Sequence, residues 1–122
     1  MASLNYNCHQ ICRAVEILVK DEGDIRNRLF GQAAFELGFL EPDVFPESWR
    51  KDIRWIKKML LRYPAKQIFR DTEVFRSSCE ETFLHTRTVT AKKIVARIWT
   101  LYCRLDTLDD EIRNSRRERR EM

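Results

Sequence analysis

Six aliphatic residues, Ile94, Ile98, Leu101, Leu105, Leu108 and Ile112, follow one another at alternating steps of four and three. That spacing keeps a side chain on one flank of a helix turn after turn, and no strand can use it. The C-terminal part of the chain is therefore predicted to be one long helix with a continuous apolar seam. In its first half Ala91, Val95, Trp99 and Tyr102 widen the apolar arc, which predicts burial inside a domain. Beyond Leu105 the arc narrows between Asp106, Asp109 and Asp110, which predicts a projecting seam for a partner helix or a second copy of the chain. Leu105, Leu108 and Ile112, together with Leu61, form the expected protein interface.

The rest of the chain also reads with helical period. Residues 3–22 carry Leu4, Cys8, Ile11, Cys12, Val15, Leu18 and Val19 on one arc, with Ser3 as a cap and Gly23 as a stop. Residues 24–37 follow, capped by Asp24, with Ile25, Leu29, Phe30, Ala33, Ala34 and Leu37 facing inward and Gly38 at the end. Pro42 and Pro46 bracket a break. Residues 46–63 form a third helix with Trp49, Ile53, Ile56, Leu60 and Tyr63 on its core face, closed by Pro64. A connection over 64–71 leads to a fourth helix over 72–85, on which Phe75, Cys79 and Phe83 align. The threonines between Thr86 and Thr90 favour a break before the last helix, although the pattern leaves one continuous helix open. The expected fold is all-α, a small bundle of four to five helices with a long C-terminal helix. One domain spans residues 1–112, and the charged tail 113–122 is expected to fray. With only three glycines and three prolines in 122 residues, a turn-rich β fold is poorly supported.

No stretch approaches the roughly 20 apolar residues of a membrane span. The opening residues lack a basic segment followed by an apolar run, so a cytoplasmic setting with reduced cysteines is expected. Cys8, His9 and Cys12 are the closest approach to a metal motif. Structural zinc sites pair cysteines on turns, whereas Cys8 and Cys12 fall on a helix face, so packing explains them better and no metal or cofactor is expected. A glycine-rich phosphate loop, Gly-x-Ser-x-Gly and His-Glu-x-x-His are all absent, and the two histidines, His9 and His85, stand in no catalytic motif. A non-catalytic role is the expectation.

Charge is more informative. The net charge is +4, and between Arg50 and Arg62 six cations stand against one acid, Asp52. Arg50, Lys51, Arg54, Lys57, Lys58 and Arg62 cover the side opposite Trp49 and Ile53, with Trp55 at the margin. A cationic stripe flanked by an aromatic can track a phosphate backbone and stack a base. Lys93, Arg97 and Arg104 on the last helix extend the set. The leading expectation is an accessory or adaptor protein of a nucleic-acid-handling assembly. It would meet phosphates through these residues and a partner subunit, or itself, through the C-terminal seam. The alternative is a purely protein-binding module, an inhibitor or oligomeric scaffold, without nucleic-acid contact.

Overall fold

Ser3 opens the first helix: its hydroxyl accepts the Tyr6 amide at 3.1 Å, and α1 runs over Leu4–Lys20. The computed structural model describes residues 3–69 and 73–121. Gly23 takes φ +103°, a left-handed turn open to glycine, and hands the chain to Asp24. Asp24 caps α2 (Ile25–Arg28) by accepting the Asn27 amide at 2.9 Å. The second helix is not uniform. A π turn over Leu29–Ala33, with Gly31 out of helical geometry, joins α2 to α3 (Ala34–Leu37). Leu29, Ala33, Ala34, Leu37 and Leu40 are buried around this kink, while Phe35 and Phe39 face outward.

A short 3-10 turn over Pro42–Val44 leads to α4 (Glu47–Leu60). Trp49, Ile53, Ile56 and Leu60 are buried as their spacing predicts. The helix stops short of Tyr63. The Ser78 hydroxyl reaches back to the Leu61 and Tyr63 carbonyls at 3.2 and 2.5 Å, and the Tyr63 amide donates to Thr82 at 3.0 Å. These bonds take over backbone groups that another helical turn would have used.

The expected fourth helix is shorter than 72–85. Glu73–Arg76 is a strand, β2, paired antiparallel with β1 (Lys66–Phe69), with Gln67 opposite Phe75. Thr72 lies outside the described residues. Helix α5 (Ser78–His85) begins only at Ser77, whose side chain accepts the Glu80 amide while Glu80 reaches back to the Ser77 amide. That reciprocal cap sets the helix start, and the β-forming pair Val74–Phe75 goes to the hairpin. Thr86 and Arg87 then interrupt the chain, so α5 and α6 (Thr88–Arg104) are separate helices.

One 3-10 turn, Leu105–Thr107, links α6 to α7 (Leu108–Glu121). Helix continues through the tail expected to fray from Arg113. Asp109, Asp110 and Glu111 in its first turn, with arginines downstream, complement the helix dipole. With α2–α3 and α6–α7 each counted as one bent helix, the molecule is an all-α bundle of five helices with a long C-terminal helix and a small hairpin. Helix α6 packs against α1, α2 and α4. Its Ala91, Ile94, Ile98 and Leu101 meet Ile11, Ala14 and Leu18 of α1 and the buried side of α4 in one core.

Three expectations about faces are corrected. Cys12 and Val19 are exposed, and Asn7, Gln10 and Ala14 take the inward positions on α1. Asn7 decides the rotation: its amide donates to the Ser3 carbonyl at 2.9 Å and accepts the Glu41 amide at 2.7 Å, docking α1 onto the loop before Pro42. Trp99 and Tyr102 are exposed and stack on each other at 5.3 Å. Leu108 is 3% exposed and part of the core, with Leu105 and Ile112 packed against it. The distal seam is thus covered within the chain, because the bend at Leu105–Thr107 folds it over the bundle.

A candidate cationic interface on helix α4

At 100° per residue, Lys51, Arg54 and Lys58 fall in one row opposite the buried line Trp49, Ile53, Ile56 and Leu60, and Arg62 follows just past the end of the helix. All four are exposed. Arg54 lies 3.5 Å from Asp43, but their side chains are 62% and 88% exposed, so solvent screens the pair and leaves the guanidinium available. Arg62 lies 5.9 Å over the Tyr63 ring. From Lys51 to Lys58 the row is about 10 Å long.

The other expected cations have internal work. Arg50 donates to the Phe45 carbonyl at 3.0 Å, and Lys57 donates to the Leu40 carbonyl at 2.7 Å. Arg97 bonds Asp52 at 2.6 Å and lies 4.7 Å over the Trp55 ring. Trp55 is half-buried under that guanidinium, so one face of the expected base-stacking aromatic is already occupied. Arg104 lies 4.7 Å over Trp49 and bonds Glu111 at 2.6 Å and Ser48 at 3.2 Å. Lys93 is exposed and belongs to α6 rather than to the row. Of the ten residues expected at a phosphate surface, four stand together, Lys93 stands apart, and Arg50, Trp55, Lys57, Arg97 and Arg104 hold the fold.

Leu61, the remaining expected interface residue, is 49% exposed and lines an apolar groove of about 420 Å³. Phe30, Leu60 and Cys79 also line it, with Phe35 and Phe39 packed edge to face at 5.0 Å between ring centroids. The sequence assigned Phe35 and Phe39 no role. Their four-residue spacing off the apolar arc was the signal that could have found them.

The thiols offer no motif. Cys8 and Cys79 are half-buried, Cys12 and Cys103 exposed, and all are unpaired. Burial pushes the Cys8 thiol up, with Cys12 and Asp109 adding to the shift. Burial, with Glu80 nearby, does the same at Cys79. Among the described residues no three His, Cys, Asp or Glu side chains stand where they could share a metal ion, and no helix is long and apolar enough to cross a membrane. Comparison with protein-family models, with curated proteins and with solved structures finds no match.

Proposed function

We propose that this protein is a non-catalytic accessory of a nucleic-acid-handling assembly and meets phosphates through the row Lys51, Arg54 and Lys58 and through Arg62 beyond it. One observation carries the reading. After the fold has engaged Arg50, Lys57, Arg97 and Arg104, three cations, Lys51, Arg54 and Lys58, still stand in line on the solvent side of α4, with exposed Arg62 just past its end. The roughly 10 Å between Lys51 and Lys58 equals the axial rise of about three nucleotides of a duplex strand at about 3.4 Å each. With one face of Trp55 taken by Arg97, the row itself offers cations for the backbone, and binding through it should be indifferent to sequence.

The test is binding of labelled single- and double-stranded nucleic acid across a salt series. Charge reversal at Lys51, Arg54 and Lys58 should weaken binding and lower the slope of log affinity against log salt by about 2–3. An unchanged slope and affinity would remove the reading. A second reading, a protein-binding module, is favoured by the groove beside Leu61, which has the concavity and apolar lining of a site for a partner's side chains. Phe39→Asp would then abolish partner capture and leave nucleic-acid affinity unaltered.

A further inference from the structure

Where α4 ends and α6 begins, the chain encloses a polar hollow of about 260 Å³. Arg62 and Tyr63 enter from the end of α4, His85 and Thr86 from the end of α5, and Arg87 and Thr90 from the start of α6. The His85 ring stacks on Tyr63 at 4.4 Å, and its Nε2 lies 3.5 Å from the Glu81 carboxylate. The histidine therefore has an acid beside it already. The two arginines do not: neither Arg62 nor Arg87 is in an ion pair among the described residues. The Thr86 hydroxyl donates to the Thr82 carbonyl at 2.6 Å, and Tyr63 and Thr90 also line the hollow.

Two guanidiniums with no carboxylate partner among the described residues, brought to one polar hollow, are complementary to an oxyanion that can accept from both. The hollow is smaller than the roughly 300 Å³ at which pockets begin to hold a whole small ligand, so it suits a head group. A phosphate monoester carries about −1.5 to −2 charges near neutral pH, against one for a diester inside a strand. Arg62 also follows the α4 row, just past the end of the helix. We infer that this hollow receives the terminal phosphate monoester of a nucleic-acid strand whose diester backbone lies along Lys51, Arg54 and Lys58. The inference rests on the function proposed above. It adds a preference for phosphorylated ends that the row alone does not supply.

The experiment uses three versions of one short labelled oligonucleotide: 5′-phosphorylated, 3′-phosphorylated, and hydroxyl at both ends. Fluorescence anisotropy should show one phosphorylated strand bound about tenfold more tightly than the hydroxyl strand, the size expected of a lost charge-assisted hydrogen bond. Arg87→Gln should abolish that difference and leave the hydroxyl strand's affinity unchanged. Arg87 is exposed, so the variant should fold, and circular dichroism checks that it does. Lys58→Glu should weaken all three strands alike. Equal affinity for all three would overturn the terminal-phosphate site and leave the α4 reading standing. A preference that survives Arg87→Gln would also overturn the assignment to this hollow. Failure of every strand to bind would overturn the α4 reading, and the inference with it.

Discussion

Lys57 and Lys58 are neighbours in sequence with opposite duties. Lys57 spans the gap to the Leu40 carbonyl, whereas Lys58 points from the solvent side of α4. Lys57→Met should cost about 1 kcal/mol of stability, roughly 4 °C in melting temperature, by removing a charge-assisted bond to a loop carbonyl. It should leave nucleic-acid affinity almost untouched. Lys58→Met should do the reverse, and paired melting and binding curves for the two variants check both halves. The cysteines divide in a similar way. Burial holds the thiols of Cys8 and Cys79 up, and the thiolate is the reactive form, so alkylation at mildly alkaline pH should reach the exposed Cys12 and Cys103 first. Mass mapping of the labelled protein reads that order. A thiol whose pKa is raised by folding favours the folded state below the ordinary thiol range, and that contribution is lost as pH rises through the raised value. Stability should therefore fall at alkaline pH, and Cys8→Val should make the fall shallower. These distinctions were not legible from charge or spacing. Arg28, Arg50 and Lys57 each donate to a backbone carbonyl, of Leu18, Phe45 and Leu40, and where those carbonyls lie is a property of the folded chain.

Helix α5 is eight residues long, too short to persist without tertiary packing, and its start depends on the Ser77–Glu80 cap. Ser77→Ala should cost about 1 kcal/mol and speed amide exchange at the first turn of α5, while α4 and α6 keep their protection. Equal protection in the variant would show that packing against α4, and not the cap, holds the helix. The capping pattern was legible in Ser77 and Glu80, yet Phe75, Cys79 and Phe83 share a helical spacing that drew the expected helix back to residue 72. Periodicity over so few residues does not separate a strand followed by a capped helix from one longer helix. Long elements were legible because their signal repeats. Trp49, Ile53, Ile56 and Leu60 are buried as spaced, and so are Ile94, Ile98 and Leu101. Helix α1 was legible as a helix but not in its rotation, because a buried asparagine that bonds the Glu41 amide outweighs the apolar surface of Cys12 and Val19. The candidate site follows the same rule. The row on α4 is a periodic feature and was visible, while the Phe35–Phe39 rim and the hollow at Arg87 arise from a π turn and a junction that periodicity cannot carry.

Across the whole molecule, one cluster decides how the long C-terminal helix is used. The Trp49 ring is fully buried, and its indole N–H donates to Glu111 on α7 at 2.6 Å. Arg104 lies on the same ring and bonds the other oxygen of that carboxylate at 2.6 Å. A single carboxylate therefore satisfies a buried donor of α4 and a cation of α6, and clamps α7 down at the bend. Leu108 is buried beside this clamp, and the seam that would otherwise seek a partner is closed within the chain. Glu111→Ala should leave the Trp49 donor unsatisfied and cost about 2 kcal/mol. The Arg104 and Glu111 side chains are 29% and 30% exposed, so their ionic attraction is partly screened and adds little beyond that figure. Glu111→Gln keeps an acceptor for the indole and should lose about half as much. The consequence peculiar to this architecture is spatial. With the clamp gone, α7 amides should exchange faster than those of α1, α4 and α6, and the freed Leu105, Leu108 and Ile112 should drive concentration-dependent self-association. Hydrogen exchange and sedimentation of Glu111→Ala measure the two effects together. Faster exchange in α7 with a monomer at every concentration would mean that the seam is core surface only. Unchanged α7 protection would mean that packing of Leu108 holds the helix without the clamp.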